Sequence, residues 1–398
     1  MTVSPYKDKA YDTNQAAGSV VGLVDELINR AIEAGASDIH FEPGASELTV
    51  KFRLDGILNT VETLPKSISD NVIARLKVLG GLLTYRNDVP QEGRMEIESS
   101  RQDVIDRRLS VFPTIYGQRA VIRIFYKNAQ LTNLEHLGFS PQVLESLKQI
   151  ACASQGILLV TGPAGSGKST TLGALLRHIQ KQFPGKSIVT LEDPVEIRID
   201  GLTQVQITPY GPMTFPTALR SLLRQDPQVL MIGEIRDAET AKIVIEAGLT
   251  GHLIMSTMHS GTAASAILRL LEMGIEPYQV TSSVSAILNQ RLLRRLCEHC
   301  KKPLDTGGFE ATGCDKCFKT GFRGRILIAD LVQLDGRLRK AILAGTDADE
   351  IEKILSEKGH TGMLKNGLRI VAEGLTTRAE LDKVCGPDAS RDVSAGDE

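Results

Sequence analysis

The sequence predicts an α/β fold: a mainly parallel sheet around a phosphate-binding loop, preceded by an N-terminal α+β unit and followed by a small cysteine-held segment. Three observations predict it. Short apolar runs at residues 157–160, 188–191, 229–232 and 253–257 alternate with helical patterns, which is the pattern of βαβ units. The stretch Gly162-Pro163-Ala164-Gly165-Ser166-Gly167-Lys168-Ser169 fits G-x-x-x-x-G-K-[ST] between one of those strands and a helical run. Four of the six cysteines fall in two C-x-x-C pairs, a metal-ligand spacing in a reducing compartment.

At 398 residues, 42% apolar and 24% charged, the chain is long enough for two or three domains. A formal charge of -2 argues against a protein that coats nucleic acid through its overall charge, and 4% aromatics with no tryptophan leave little for base stacking. The longest apolar runs, such as Ile157 to Val160 and Val229 to Ile232, fall far short of the roughly twenty residues that span a bilayer. The N-terminus from Met1 to Lys7 lacks the apolar core of a signal peptide, so a cytoplasmic chain is expected.

In chain order, residues 1–18 are small and polar and read as a flexible tail, as does the stretch from Asp388 to Asp392. Residues 19–126 read as the N-terminal α+β domain. Val20, Val24, Leu27, Ile28, Ala31 and Ile32 fall on one helical face, with Gly35 at the stop. Leu48, Val50, Phe52 and Leu54 alternate with polar residues up to Asp55-Gly56, which predicts a hairpin. A helix near Ile68 to Leu79 and strands at Arg107 to Phe112 and Arg119 to Tyr126 complete the unit. A linker is expected at 127–139 and the phosphate-loop domain at 140–290. The cysteine segment spans 291–325, and a helical C-terminal subdomain with its tail spans 326–398.

In the loop, glycines let successive backbone N–H groups curl around an anion and the following helix adds positive potential. Lys168 is positioned for the β/γ-phosphates of ATP and Ser169 for Mg²⁺, so the nucleotide set is residues 162–169 with the adjoining Thr170. The second part of such a site is acidic and lies at the end of a neighbouring strand. Val229 to Ile232 ends in Gly233-Glu234-Ile235-Arg236, with no aspartate at the usual place, so Glu234 is the candidate to orient Mg²⁺ or activate water. The cluster Glu192-Asp193-Pro194-Val195-Glu196 closes another apolar strand, and the general base is Glu192 or Glu234. Any single carboxylate here also has an ordinary reading as a solvated loop charge.

These residues resemble the secretion ATPases that drive type II secretion and type IV pilus assembly. The resemblance rests on the phosphate loop, the acidic box at Glu192 to Glu196, Arg224-Gln225-Asp226-Pro227 through Gly233-Glu234-Ile235-Arg236-Asp237, and the histidine box from Thr250-Gly251-His252 to His259. The glycine at the missing aspartate is that family's habit. Ala36 to Pro43 and Gly362 to Thr377 are similar to its N-terminal subdomain and C-terminal stretch, so nearly the whole chain is covered from Val20 on. The resemblance implies a RecA-like core with a PAS-like N-terminal domain, working as a homohexamer. Its partners would be the inner-membrane platform and recruiting proteins of the machine, and it would sit peripheral to the inner membrane, with no nucleic acid. It implies that Arg94, Arg108 and Arg123 reach the nucleotide, although spacing alone reads each as a strand surface charge. His252, counted with the nucleotide-binding residues, and His259 would sense the γ-phosphate or couple subdomains; structural histidines are the alternative. The membrane-docking N-terminal domain of the longer secretion ATPases is not seen ahead of Val20.

Cys297-Glu298-His299-Cys300 and Cys314-Asp315-Lys316-Cys317 each sit on a tight turn, so four thiolates can surround one tetrahedral Zn²⁺. Two redox pairs are the alternative, and His299 could replace one cysteine. By resemblance, the secretion and assembly branches carry this segment and the pilus-retraction branch does not. Arg291, Arg294, Arg295, Lys301, Lys302, Lys319, Arg323 and Arg325 surround it, either as a solvated face or as a docking surface for an inner-membrane partner or acidic lipid. Competing functions are a RecA-like nucleic-acid or DNA-uptake motor, a pilus retraction ATPase, and a nucleotide-bound scaffold that does not turn over.

Overall fold

The computed structural model describes residues 16–95, 104–126, 129–208, 211–305, 307–357 and 362–386. Its contacts divide into two compact units, Met1–Asn128 with Gly313–Arg323, and Ala129–Thr312 with Gly324–Glu398.

In the first unit, α1 (Ala16–Glu33) repeats its apolar residues every three or four positions, and Val20, Val24, Leu27, Ile28, Ala31 and Ile32 are all buried. Three antiparallel strands come next, β1 (Asp38–Pro43), β2 (Glu47–Leu54) and β3 (Ile57–Pro65). Leu48, Val50, Phe52 and Leu54 of β2 are buried in strict alternation. Asp55 and Gly56, both at positive φ, turn β2 into β3. Then come α2 (Ser69–Leu79), β4 (Gln91–Arg94), β5 (Val104–Thr114) and β6 (Gly117–Tyr126), giving a sheet of order β3-β2-β1-β6-β5-β4. Residues of both helices and of the sheet share one apolar core.

The second unit opens with α3 (Pro141–Cys152), where Ser140 caps the helix by accepting from the Val143 N–H. Strands and helices then alternate: β7 (Gly156–Thr161), α4 (Lys168–Gln182), β8 (Ile188–Glu192), β9 (Thr203–Gln206), α5 (Phe215–Leu222), β10 (Val229–Ile232), α6 (Ala238–Leu249), β11 (Leu253–Met258), α7 (Ala263–Glu272), α8 (Pro277–Ser283) and β12 (Val284–Leu296). The short pair β13 (Lys301–Pro303) and β14 (Phe309–Ala311) lies between the two cysteine motifs, and β15 (Phe322–Gln333) rejoins the main sheet. Four helices finish the chain: α9 (Gly336–Leu343), α10 (Ala348–Glu357), α11 (Gly362–Ala372) and α12 (Arg378–Cys385).

The main sheet has the order β15-β12-β7-β11-β10-β8-β9. Its neighbours from β12 to β9 run parallel. Strands β7, β8, β10 and β11 are buried end to end. Along β7, Ile157 and Leu159 enter one core while Leu158 and Val160 enter another, so the sheet is covered on both faces.

Around the cysteine segment the structure departs from the sequence-based expectation. Residues 326–333, expected in a helical subdomain, continue β15, and β12 carries the sheet past residue 290 to Leu296. The expected tail at 1–18 gives way from Ala16 on, where Ala16 and Ala17, strong helix formers, begin α1; residues 1–15, the stretch 388–392 and the start of the linker at 127–128 lie outside the described residues.

Gly93 of β4 lies against the end of α2, where an added Cβ would stand 2.1 Å from the Gly80 carbonyl oxygen. Backbone cannot yield as a side-chain tip can. Gly93→Ala is therefore expected to destabilise the first unit by about 1–3 kcal/mol, read as faster hydrogen exchange at β4 and α2 amides.

Candidate functional site

The phosphate loop joins two rigid elements. Buried β7 ends at Thr161, and α4 begins at Lys168 behind Gly167, whose φ of 91° is a left-handed cap. The unpaired N–H groups of the first helical turn thus point into the loop. The Lys168 ammonium donates to the carbonyls of Gly162 at 2.8 Å and Pro163 at 3.0 Å. Burial lowers its pKa against the opposing pull of Glu234 and Glu196. Among the described residues, the buried hydroxyls of Thr161 and Ser166 have no hydrogen-bond partner. Uncommitted donors around a glycine cradle at a helix start fit a phosphate chain.

Strand register gathers the acids at the same edge. Thr161 of β7 is level with Met258 of β11, and Ile232 of β10 is level with Ser256 of β11 and Leu191 of β8. Glu192, Glu234 and His259 therefore all leave the carboxyl end of the sheet beside the loop. Glu192 is buried, and its Oε1 accepts from Thr190 Oγ1 at 2.6 Å and Gln204 Nε2 at 3.2 Å. Burial raises its pKa, the Glu196 charge adds to that, and the two hydrogen bonds oppose it. Glu234 is held from both sides, with Arg236 Nε at 2.7 Å from one oxygen and His259 Nε2 at 3.1 Å from the other. Asp193 lies 3.9 Å from Arg236.

Gly233 explains the missing aspartate sterically. Its N–H donates to Leu191 O at 2.8 Å, and an added Cβ would meet Leu191 O at 3.3 Å and Glu192 Cα at 3.4 Å. A side chain here would press on the β8 backbone at Leu191 and Glu192, which would have to give by a few tenths of an ångström.

His252 is not brought to the loop. It precedes Leu253, which is level with Gly156 at the amino end of β7, and its Nδ1 lies 3.0 Å from the Ala247 carbonyl in the last turn of α6. A strand rises about 3.3 Å per residue, so β11 puts roughly 20 Å between His252 and His259. Of the two histidines, His259 is the one at the acidic cluster.

In the first unit, Arg94, Arg108 and Arg123 are aligned on adjacent strands, and the row continues through Asp38 to Arg53. Asp106 bonds Arg94 at 2.7 Å and Arg108 at 3.3 Å, while Asp38 bonds Arg123 at 3.0 Å and Arg53 at 3.2 Å. The spacing of arginines is visible in the sequence; the two aspartates that keep four like charges side by side are not.

The sulfur atoms of Cys297, Cys300, Cys314 and Cys317 all lie within 4.8 Å of one another, and none forms a disulfide. Cys314 and Cys317 sulfurs are 3.8 Å apart, too far for an S–S bond and equal to the edge of about 3.8 Å expected for a tetrahedron with 2.3 Å metal–sulfur bonds. Backbone N–H groups of Cys314 and Gly321 point at Cys317 Sγ at 3.1 and 3.2 Å, the support a thiolate needs. The group fits one tetrahedral metal ion. His299 is not part of it. The positive surface expected around it is partly neutralised: Arg294 pairs inward with Glu380 at 2.6 Å and Arg291 donates to the Val384 carbonyl, while Lys301 pairs with exposed Glu298 at 2.7 Å and Lys319 with exposed Asp315 at 2.7 Å.

A family described as "Type II/IV secretion system protein" matches residues 13–383. The chain belongs to that family. It is 43% identical over 377 residues to the type IV pilus assembly ATPase PilB of Thermus thermophilus, covering 90% of this chain and 42% of that protein. It is 38% identical over 385 residues to a putative type II secretion system protein E of Escherichia coli, covering 93% of this chain and 77% of that one. Among solved structures, the fold is similar to the pilus retraction motor PilT with bound ADP, at a TM-score of 0.60 and 24% identity over 93% of this chain and 97% of that one.

Two outcomes are expected. Replacing Cys297 and Cys300 together, or Cys314 and Cys317 together, by serine removes bound metal and unfolds the segment, measured by elemental analysis and proteolysis. Because the folded Glu192 pKa is raised, its stabilising contribution is present below the unfolded value and lost as pH rises through the folded one. Glu192→Gln therefore melts at or above wild type at neutral pH, and the difference shrinks as the pH falls through the raised folded value and vanishes below the ordinary carboxylate value.

Proposed function

We propose that this chain is the ATP-hydrolysing motor subunit of a type II secretion or type IV pilus assembly machine. The carrying observation is the convergence of the phosphate loop with Glu192, Glu234 and His259 at one edge of the main sheet. The reading takes the second unit as a RecA-like core. Its support is the strand order: counting β7, β8, β10, β11 and β12 as first to fifth, the sheet runs fifth, first, fourth, third, second. The reading of the first unit as PAS-like rests on resemblance alone.

ATP binds on residues 162–169 and Thr170, with the Lys168 ammonium leaving the loop carbonyls for the β/γ-phosphates. Mg²⁺, held by the Ser169 hydroxyl and the strand-tip acids, would neutralise the phosphate charge. Glu192 is the general base: burial strengthens it as a proton acceptor, and Thr190 and Gln204 aim it. Glu234, clamped by Arg236 and His259, is the acid that orients Mg²⁺ or the attacking water. Arg94, Arg108 and Arg123 take the charge-stabilising role the resemblance gives them, an effect of about 10³–10⁵ in rate where such arginines act. Zn²⁺ on the four cysteines would supply the folding energy of a segment with little core of its own, and the four-thiol group supports assembly over retraction.

The motor is read as a homohexamer acting on an inner-membrane platform protein from the cytoplasmic side. Among the described residues no helix is long and apolar enough to cross a membrane.

Steady-state phosphate release tests the reading. Wild type turns over ATP, Lys168→Ala abolishes turnover, Glu234→Gln cuts it strongly, and single- or double-stranded DNA leaves it unchanged. Wild type that binds ATP and releases no phosphate in any assembly state is a scaffold, and the motor reading falls.

A further inference from the structure

The phosphate loop is moulded against a residue far away in the sequence. Gln290 of β12 is completely buried. Its side-chain Nε2 donates to the Ser166 carbonyl at 2.8 Å, and its Oε1 accepts from Thr171 Oγ1 at 3.0 Å. The amide orientation is dictated by chemistry: a carbonyl only accepts, so the nitrogen faces Ser166 and the oxygen faces the hydroxyl. One side chain thus ties the middle of the loop to the first turn of α4.

The two glycines that bracket the loop press on the same residue. A Cβ on Gly162 would stand 2.3 Å from the Gln290 backbone oxygen, and one on Gly167 would stand 3.3 Å from Gln290 Nε2. Both glycines also have positive φ, 143° and 91°. The glycine pattern of the loop is therefore needed on two counts, backbone shape and the closeness of β12.

We propose that Gln290 is a positioning residue for nucleotide binding: its buried amide, oriented by Thr171, holds the loop in the phosphate-receiving shape before ligand arrives. The inference deepens the function proposed above and rests on it for the nucleotide. Loss of the amide leaves the Ser166 carbonyl and the Thr171 hydroxyl buried without partners. The loop then relaxes, and every nucleotide that uses its N–H groups binds less well.

The test compares full-length wild type, Gln290→Met and Thr171→Val. Methionine keeps the volume and unbranched shape but neither donates nor accepts as the amide does. Binding of MgATP and MgADP is measured by calorimetry, and hydrogen exchange is followed at residues 163–169 without nucleotide. Gln290→Met is expected to weaken both nucleotides by about tenfold and to speed exchange in the loop and first turn of α4, with first-unit exchange unchanged. Thr171→Val gives a smaller loss in the same direction, about threefold, because the donation to Ser166 survives. If Gln290→Met does not fold, Thr171→Val decides by the same two readouts. Wild-type affinity and wild-type loop exchange in a folded variant overturn the proposal, since a purely structural role would lower only the melting temperature. If wild type binds neither nucleotide while loop exchange still rises in the variant, the functional reading fails and the latch stands.

Discussion

The acidic cluster of the second unit owes its position to the double-sided burial of the parallel sheet. Strands β7, β8, β10 and β11 carry apolar residues on both faces, so functional groups can emerge only where a strand ends. Because the strands point one way, all of those ends open on one side. Thr161, Glu192, Gly233 and Met258 are the four exits, and the residues just beyond them share one patch of space. The site needs no long loop to assemble it; register does so.

Local patterns of this chain were legible, and long-range choices among them were not. The hairpin at Asp55-Gly56, the stripe of α1 and the phosphate loop are all decided within about ten residues, and the structure has each where the pattern puts it. The four-cysteine gathering was likewise readable, because the turn within each pair is local chemistry. The two histidines looked alike in the sequence, each at one end of an apolar run. Only the direction of β11 relative to β7 separates the one at the acidic cluster from the one at the end of α6.

From residue 326 on the sequence predicts a helical region where the structure has the strand 322–333. Ile326-Leu327-Ile328-Ala329 is an apolar run too short for its periodicity to tell buried strand from buried helix, and its partner β12 lies outside the local window. Glu192 and Glu234 were equivalent carboxylates on paper. They differ in the structure because one is enclosed and bonded by neutral groups while the other is gripped by an arginine and a histidine. Gln290 carried no motif at all, since its partners Ser166 and Thr171 lie more than a hundred positions upstream.

The resting contacts of Lys168 bear on how tightly such a loop can hold its ligand. Its ammonium already lies half out of water, satisfied by two neutral carbonyl oxygens. Folding has therefore borne the dehydration of that charge, and an arriving anion does not have to supply it again. The anion has only to outcompete two uncharged acceptors, which a charged oxygen does readily. Departure is eased by the same arrangement, because the released ammonium falls back onto waiting partners instead of standing bare. A loop built this way suits repeated filling and emptying better than permanent occupancy.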